Sequence, residues 1–339
     1  MTTKRHPVTR LLVLLVVVLL ALFHLSFLWG RLEVPLLQVL RILADRCGFS
    51  VAATWTDSMA VAVLNIRLPR ILLAIMVGCA LSAAGTAYQC VFQNPMASPD
   101  ILGASSGACF GAALAILLGL SGGSVTALAF CFSLLTVGLV YLIGRRTRGS
   151  RILNILLAGI MVSSLFSAGT SYIKLVADPS SKLPEITYWL MGSLSGARGE
   201  DVRFFLGPLL PGLIPLLLLR WRVNLLTLGE EEASSMGVDT GRLRLTVIFC
   251  ATILTAASVS VSGMIGWVGL VIPHFSRRLV GNDCRYLFPA SMLMGGSFLL
   301  LVDNVSRNLL ATEIHIVILT AFIGAPFFMY LMTRKEGGQ

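Results

Sequence analysis

The chain has 339 residues, with 26 Lys and Arg against 16 Asp and Glu, a net charge of +10, 56% hydrophobic residues and 12% charged residues. An ordinary soluble domain is about 25% charged, so this chain cannot cover a water-facing surface, and a soluble enzyme is excluded. With a mean hydropathy of +0.86, its main solvent is lipid, and its structural unit is the spanning helix of about 20 apolar residues.

Stretches free of Asp, Glu, Lys and Arg run over 11–30, 71–99, 101–144, 152–173, 204–219, 245–276, 286–302 and 314–333. The first follows a basic start at Lys4, Arg5 and Arg10. It is longer than the roughly 7–15-residue core of a secretory signal and reads as a retained first span. The stretch 101–144 is too long for one crossing and is interrupted by Gly119, Ser121, Gly122, Gly123 and Ser124, a loop composition. The stretch 245–276 is broken in the same way at Ser262, Gly263 and Gly266. Splitting both predicts ten spans, over 11–30, 63–90, 101–118, 124–144, 152–174, 203–221, 245–262, 265–281, 286–303 and 316–333. The sixth is the weakest, short and expected to kink at Pro208, Pro211 and Pro215.

Ten crossings leave both termini on one side. Sixteen Lys and Arg fall on that side and ten on the other, which predicts cytoplasmic termini. The basic balance thus marks a membrane face and does not call for nucleic acid. The fold class expected is an all-α integral membrane protein, a single transmembrane domain over 1–339.

No Asp, Glu, Lys or Arg falls near the centre of a span, where a coupling-ion site would sit, so the driving energy is expected from outside the membrane. The chain has no G-x-x-x-x-G-K-[ST] phosphate loop, so a partner would have to supply ATP hydrolysis. The longest cytoplasmic loop is 221–244. Thr227 and Glu230 have capping-box spacing, Glu230, Glu231 and Glu232 suit a helix N-terminus, and Gly237 is placed to stop it. A short helix is predicted there.

Gly159, Ser163, Ser167, Thr170, Ser171 and Lys174 share one face of the fifth span. Such a stripe suits either the wall of a wet path or close helix packing. Gly103, Gly107 and Gly111 form a ridge that reads as packing. Residues 93–100, with Pro95 and Pro99, form a turn. His274 lacks a second ligand at metal spacing. No pair among the seven cysteines has C-x-x-C spacing, and they read as small hydrophobes.

Several motifs then coincide in order: Arg67-Leu68-Pro69-Arg70; Gln93-Asn94-Pro95-Met96-Ala97-Ser98-Pro99 followed by Leu102-Gly103-Ala104-Ser105-Ser106-Gly107-Ala108; Gly266-Trp267-Val268-Gly269-Leu270-Val271-Ile272-Pro273-His274; and Thr320-Ala321-Phe322-Ile323-Gly324-Ala325-Pro326-Phe327-Phe328. Over roughly 60–335 the chain resembles the FecCD-type permease subunits of binding-protein-dependent ABC importers for iron–siderophores, haem and vitamin B12. The resemblance implies a ten-helix subunit in a bacterial or archaeal cytoplasmic membrane, with helices 2–5 and 7–10 as inverted repeats. It also implies pairing with a second copy or a related permease, two cytoplasmic ATPases that hold ATP and Mg, and an extracytoplasmic binding protein. This chain would be non-catalytic and carry no cofactor or metal itself.

By the same resemblance, Arg67, Arg70 and Arg307 would dock glutamates of the binding protein. Asn94, Met96 and Ser150 would belong to the gate; the polar stripe of the fifth span, read on its own spacing, offers Ser163, Ser167 and Ser171 to the path. Glu230, Glu231, Glu232, Ala233, Ser234 and Gly237 would couple to the ATPase. The expected cargo is a ferric siderophore or a related chelate such as haem or cobalamin. The competing reading is an ion-coupled secondary transporter. One departure stands out: where the family usually reads Glu-[Ile/Leu]-Pro-x-Gly before the last helix, this chain has Glu313-Ile314-His315-Ile316-Val317.

Overall fold

In lipid each backbone N–H and C=O must be satisfied within its own segment, which favours helices. All regular structure among the described residues of the computed structural model, which are 5–30, 32–49, 52, 54–146 and 151–333, is helical. Ser150, assigned to the gate above, lies outside them.

Helix α1 covers Arg5–Leu28 and α2, an amphipathic helix in the first connection, Leu36–Arg46. A short α3, Asp57–Val61, runs through a π turn at Ala62–Arg67 into α4, Leu68–Val91. A 3-10 turn, Pro99–Leu102, precedes α5, Ala104–Leu117. Then follow α6, Gly123–Arg146; α7, Arg151–Val176; α8, Lys182–Leu190; α9, Gly199–Leu226; α10, Glu230–Ser235; α11, Thr240–Ser262; α12, Val268–Val280; α13, Cys284–Asn308; and α14, Ile316–Thr333. Among the described residues, seven helices are long and apolar enough to cross a membrane, while Ala104–Leu117 and Ile316–Phe327 are apolar but shorter.

The sixth predicted span is corrected. It is not short: α9 runs for 28 residues with Pro208, Pro211 and Pro215 inside it. Its start is fixed outside the apolar stretch, where the Arg198 backbone N–H donates to Asp201 Oδ2 at 2.8 Å and Glu200 and Asp201 face the positive helix end. Helices α2 and α8 were not foreseen, because both lie in connections that carry charges.

The core is organised around α4, most of whose residues are buried. Its glycines permit backbone-to-backbone contact: a Cβ on Gly78 would lie 2.2 Å from Gly295 O, and one on Gly85 only 1.8 Å from Gly269 O. Without a hydrophobic drive between helices in lipid, small residues of this kind permit the close packing that holds them together. The Gly103, Gly107 and Gly111 ridge also packs. A Cβ on Gly107 would meet Thr136 Oγ1 at 2.1 Å and one on Gly111 would meet Leu128 O at 2.5 Å, both on α6.

Candidate functional site

At the end where α4 begins and α1 and α13 finish, the three arginines expected as docking residues converge. They are not presented to solvent: Arg67, Arg70 and Arg307 are 5%, 5% and 8% exposed. Arg67 donates to Phe27 O and Leu32 O and lies over Gly30. Arg307 donates to Ser26 O at 2.6 Å and to Asn304 Oδ1, and Asn304 Nδ2 donates to Ser26 Oγ at 2.6 Å. Arg70 is held by two carboxylates: Nε and the adjoining Nη2 face Asp303 at 2.9 Å, and Nη1 and Nη2 donate to Glu313 at 2.9 and 3.0 Å. Asp303 is fully buried and the Glu313 side chain is 33% exposed. A buried guanidinium needs such partners, and these acids, 233 and 243 positions away in sequence, were not linked to it by spacing.

Glu313 also borders a cavity of about 710 Å³ between α6, α8, α9 and α11. His315 lines it and stacks on Tyr188, ring centroids 5.4 Å apart. The segment before α14 is pinned without the family's Pro and Gly: Ile314 N–H donates to Ser306 O and Ile316 N–H to Gly192 O. Farther along α4, a smaller cavity of about 200 Å³ lies between the breaks that precede α5 and α12. Asp100, which sequence reading passed over, lines it and accepts from Ser105 Oγ. Trp267 caps α12 from a left-handed backbone, φ 70°, a conformation that is costly for a bulky residue.

The opposite end joins the turn after α4 to the segment after α9. Gln93 takes φ 49°, and its Nε2 donates to Leu226 O at 2.5 Å. Asn94 and Met96 are exposed, with Asn94 Oδ1 accepting from Met96 N at 2.9 Å. Three residues beyond Leu226 the chain reaches Gly229, the residue before α10.

The predicted capping box is corrected. Thr227 ends α9, its hydroxyl donating to Asn224 O at 2.7 Å, and Gly229 is the N-cap of α10 without a side-chain cap bond. Thr227 is unavailable as a cap because α9 extends to Leu226. The helix stop holds: Gly237, φ 78°, donates to Ser234 O while Val238 N–H donates to Ala233 O, a Schellman closure. Ala233 is buried, whereas Glu231, Glu232 and Ser234 are exposed; Glu230 opens the helix.

The small-residue face of α7 divides. Gly159 abuts Ile101 O and Ser163 packs beside Gly103, so this part serves packing. Ser167 and Ser171 are exposed. His274 faces Phe327 edge-on, and no group of three His, Cys, Asp or Glu among the described residues could hold a metal.

The family pattern of the FecCD transport family matches residues 16–334. The chain belongs to the FecCD transport family. FecCD relatives include the molybdate import system permease protein MolB of Haemophilus influenzae, 44% identical over 81% of this chain and 82% of the relative. The hemin transport system permease protein HmuU of Yersinia pestis is 38% identical over 80% of this chain and 83% of the relative. The solved structure of a metal-chelate type ABC transporter in an inward-facing conformation matches this FecCD chain with a TM-score of 0.84 and 39% identity, covering 96% of this chain and 99% of the other. This FecCD chain is thus an all-helical, multi-pass membrane protein.

Proposed function

We propose that the chain is the permease subunit of an ATP-binding-cassette importer for a metal chelate, a ferric siderophore or a haem- or cobalamin-like complex, in the cytoplasmic membrane of a bacterium or archaeon. The observation that carries this reading is the match along 96% of the chain to an inward-facing metal-chelate ABC transporter. In this reading the chain crosses the bilayer ten times, with both termini in the cytoplasm. It pairs with a second permease around a central path, receives cargo from an extracytoplasmic binding protein and is driven by two ATPases holding ATP and Mg. The short helices α5, α12 and α14 complete the spanning count, with helices 2–5 and 7–10 as inverted repeats.

Coupling runs through α10: Ala233 anchors it, and its exposed carboxylates, Glu231 and Glu232, offer the ATPase a charged face. The Gln93 bond to Leu226 O links that segment to the turn carrying Asn94 and Met96, the gate residues of this reading, and Ser167 and Ser171 face the path. Docking through Arg67, Arg70 and Arg307 requires rearrangement, since all three are buried and each is hydrogen-bonded inside the chain. Arg70 becomes available only when Glu313 releases it.

The test is reconstitution in sealed vesicles with the ATPase and binding protein. Uptake that needs ATP, and that the chain alone does not perform, is the expected result. Accumulation by the chain alone, collapsing with an ion gradient, would establish the secondary carrier instead.

A further inference from the structure

The fold brings together two cysteines that lie 194 positions apart. Cys90, in the last turn of α4, and Cys284, the first residue of α13, have their sulfurs 3.2 Å apart, and both are buried. All seven cysteines are free thiols.

The backbones that carry the pair are held from several sides. Asn224 Oδ1, near the end of α9, accepts from Cys284 N at 3.0 Å. Arg277 of α12 donates to Gln89 Oε1 at 2.6 Å, one residue before Cys90. Gln93, three residues after Cys90, is bound to Leu226 O. A disulfide has its sulfurs about 2.05 Å apart, so the two atoms need close by only about 1.2 Å.

We propose that Cys90 and Cys284 are a redox-modification site, oxidised by hydrogen peroxide to a disulfide that staples the end of α4 to the start of α13. One thiolate attacks a peroxide oxygen, the O–O bond breaks, water leaves, and a sulfenic acid remains. The second thiol attacks that sulfur, the S–S bond forms and a second water departs. The thiols give up two protons and two electrons, and the peroxide accepts both.

In the orientation proposed above the pair faces the cytoplasmic side, where low-molecular-weight thiols keep it reduced at rest. The staple would immobilise the junction of α4, α9, α12 and α13, from which the 93–98 turn and α10 depart, and so arrest uptake. That consequence rests on the transporter reading; the cross-link itself does not.

The experiment treats membranes containing the complete transporter with hydrogen peroxide, blocks remaining thiols with N-ethylmaleimide under denaturing conditions, and maps peptides without reductant. Expected is a joined pair of peptides carrying Cys90 and Cys284, lighter by two hydrogens, separated by dithiothreitol and absent from Cys90→Ser and Cys284→Ser. The wild-type measurement stands even if a variant misfolds. Recovery of both peptides separately alkylated, or cross-linking confined to the exposed Cys47 and Cys131, would overturn the proposal. The cross-linked fraction should lose at least tenfold in ATP-driven uptake and regain it on reduction; full uptake by cross-linked protein would overturn the arrest. Absence of uptake in fully reduced protein would count against the transporter reading, whereas separately alkylated thiols count against the disulfide.

Discussion

Replacing Arg70 with Leu leaves Asp303 as a fully buried carboxylate whose 2.9 Å partner is gone. Breaking a buried pair by removing one member costs about 3–5 kcal/mol, which is roughly two to four orders of magnitude in the folding equilibrium. Glu313, one-third exposed, remains hydrated when its partner is lost, and Glu313→Gln should cost no more than about 1–2 kcal/mol. The double variant Arg70→Leu/Asp303→Leu should recover most of the loss, because apolar residues of similar volume often replace a buried pair without penalty. Titration with SDS in mixed micelles, followed by tryptophan fluorescence from the five tryptophans, measures each difference. The reasoning fails if Arg70→Leu lies within about 1 kcal/mol of the parent, below the buried-pair range. It also fails if the double-mutant cycle couples Arg70 to Glu313 as strongly as to Asp303.

Gly85→Ala places a Cβ 1.8 Å from Gly269 O; it should cost about 1–3 kcal/mol by overpacking and lower the melting temperature in detergent. Gly138→Ala, with nothing within 4 Å, should be neutral or slightly stabilising in the same assay. Gln93→Ala removes the bond to Leu226 O, worth about 1 kcal/mol. ATPase activity of the assembled importer should persist while uptake per ATP falls severalfold, and equal loss of both would reject the link. Hydrogen bonds from Arg285 hold the Asp283 carboxyl below its usual range. Its contribution to stability is therefore present above about pH 3.9, the ordinary value, and fades as acid carries the pH down through its lowered folded value. Asp283→Asn should flatten that acid limb in a melting profile, and an unchanged limb would reject the assignment.

The helical frame was legible because lipid enforces a simple grammar, in which apolar length, Gly-rich interruptions and flanking arginines mark where a helix starts and stops. Breaks at Gly119–Gly122 and Gly263–Gly266 and the stop at Gly237 follow from local composition alone. What the sequence did not show lies in contacts between distant segments. Arg70 reads as a surface cation until Asp303 and Glu313 are brought beside it. Thr227 and Glu230 carry capping-box spacing, yet the extension of α9 assigns Thr227 to a different helix end. Prolines 208, 211 and 215 suggested a weak helix, but their neighbours and the α9 cap sustain it. Cys90 and Cys284 lack any motif because their proximity is a product of antiparallel helix packing.

Where α4 meets α12 and α13 at Gly78, Gly85, Gly269 and Gly295, main chain rests on main chain. No intervening layer of side chains is present there to change rotamers and absorb a sliding displacement, as shear motions between packed helices require. These three helices therefore behave as one keel. Any alternation of access has to be carried by helices that pivot against it, among them α7, whose exposed Ser167 and Ser171 face outward, and α14, attached through Trp267 and Gly324.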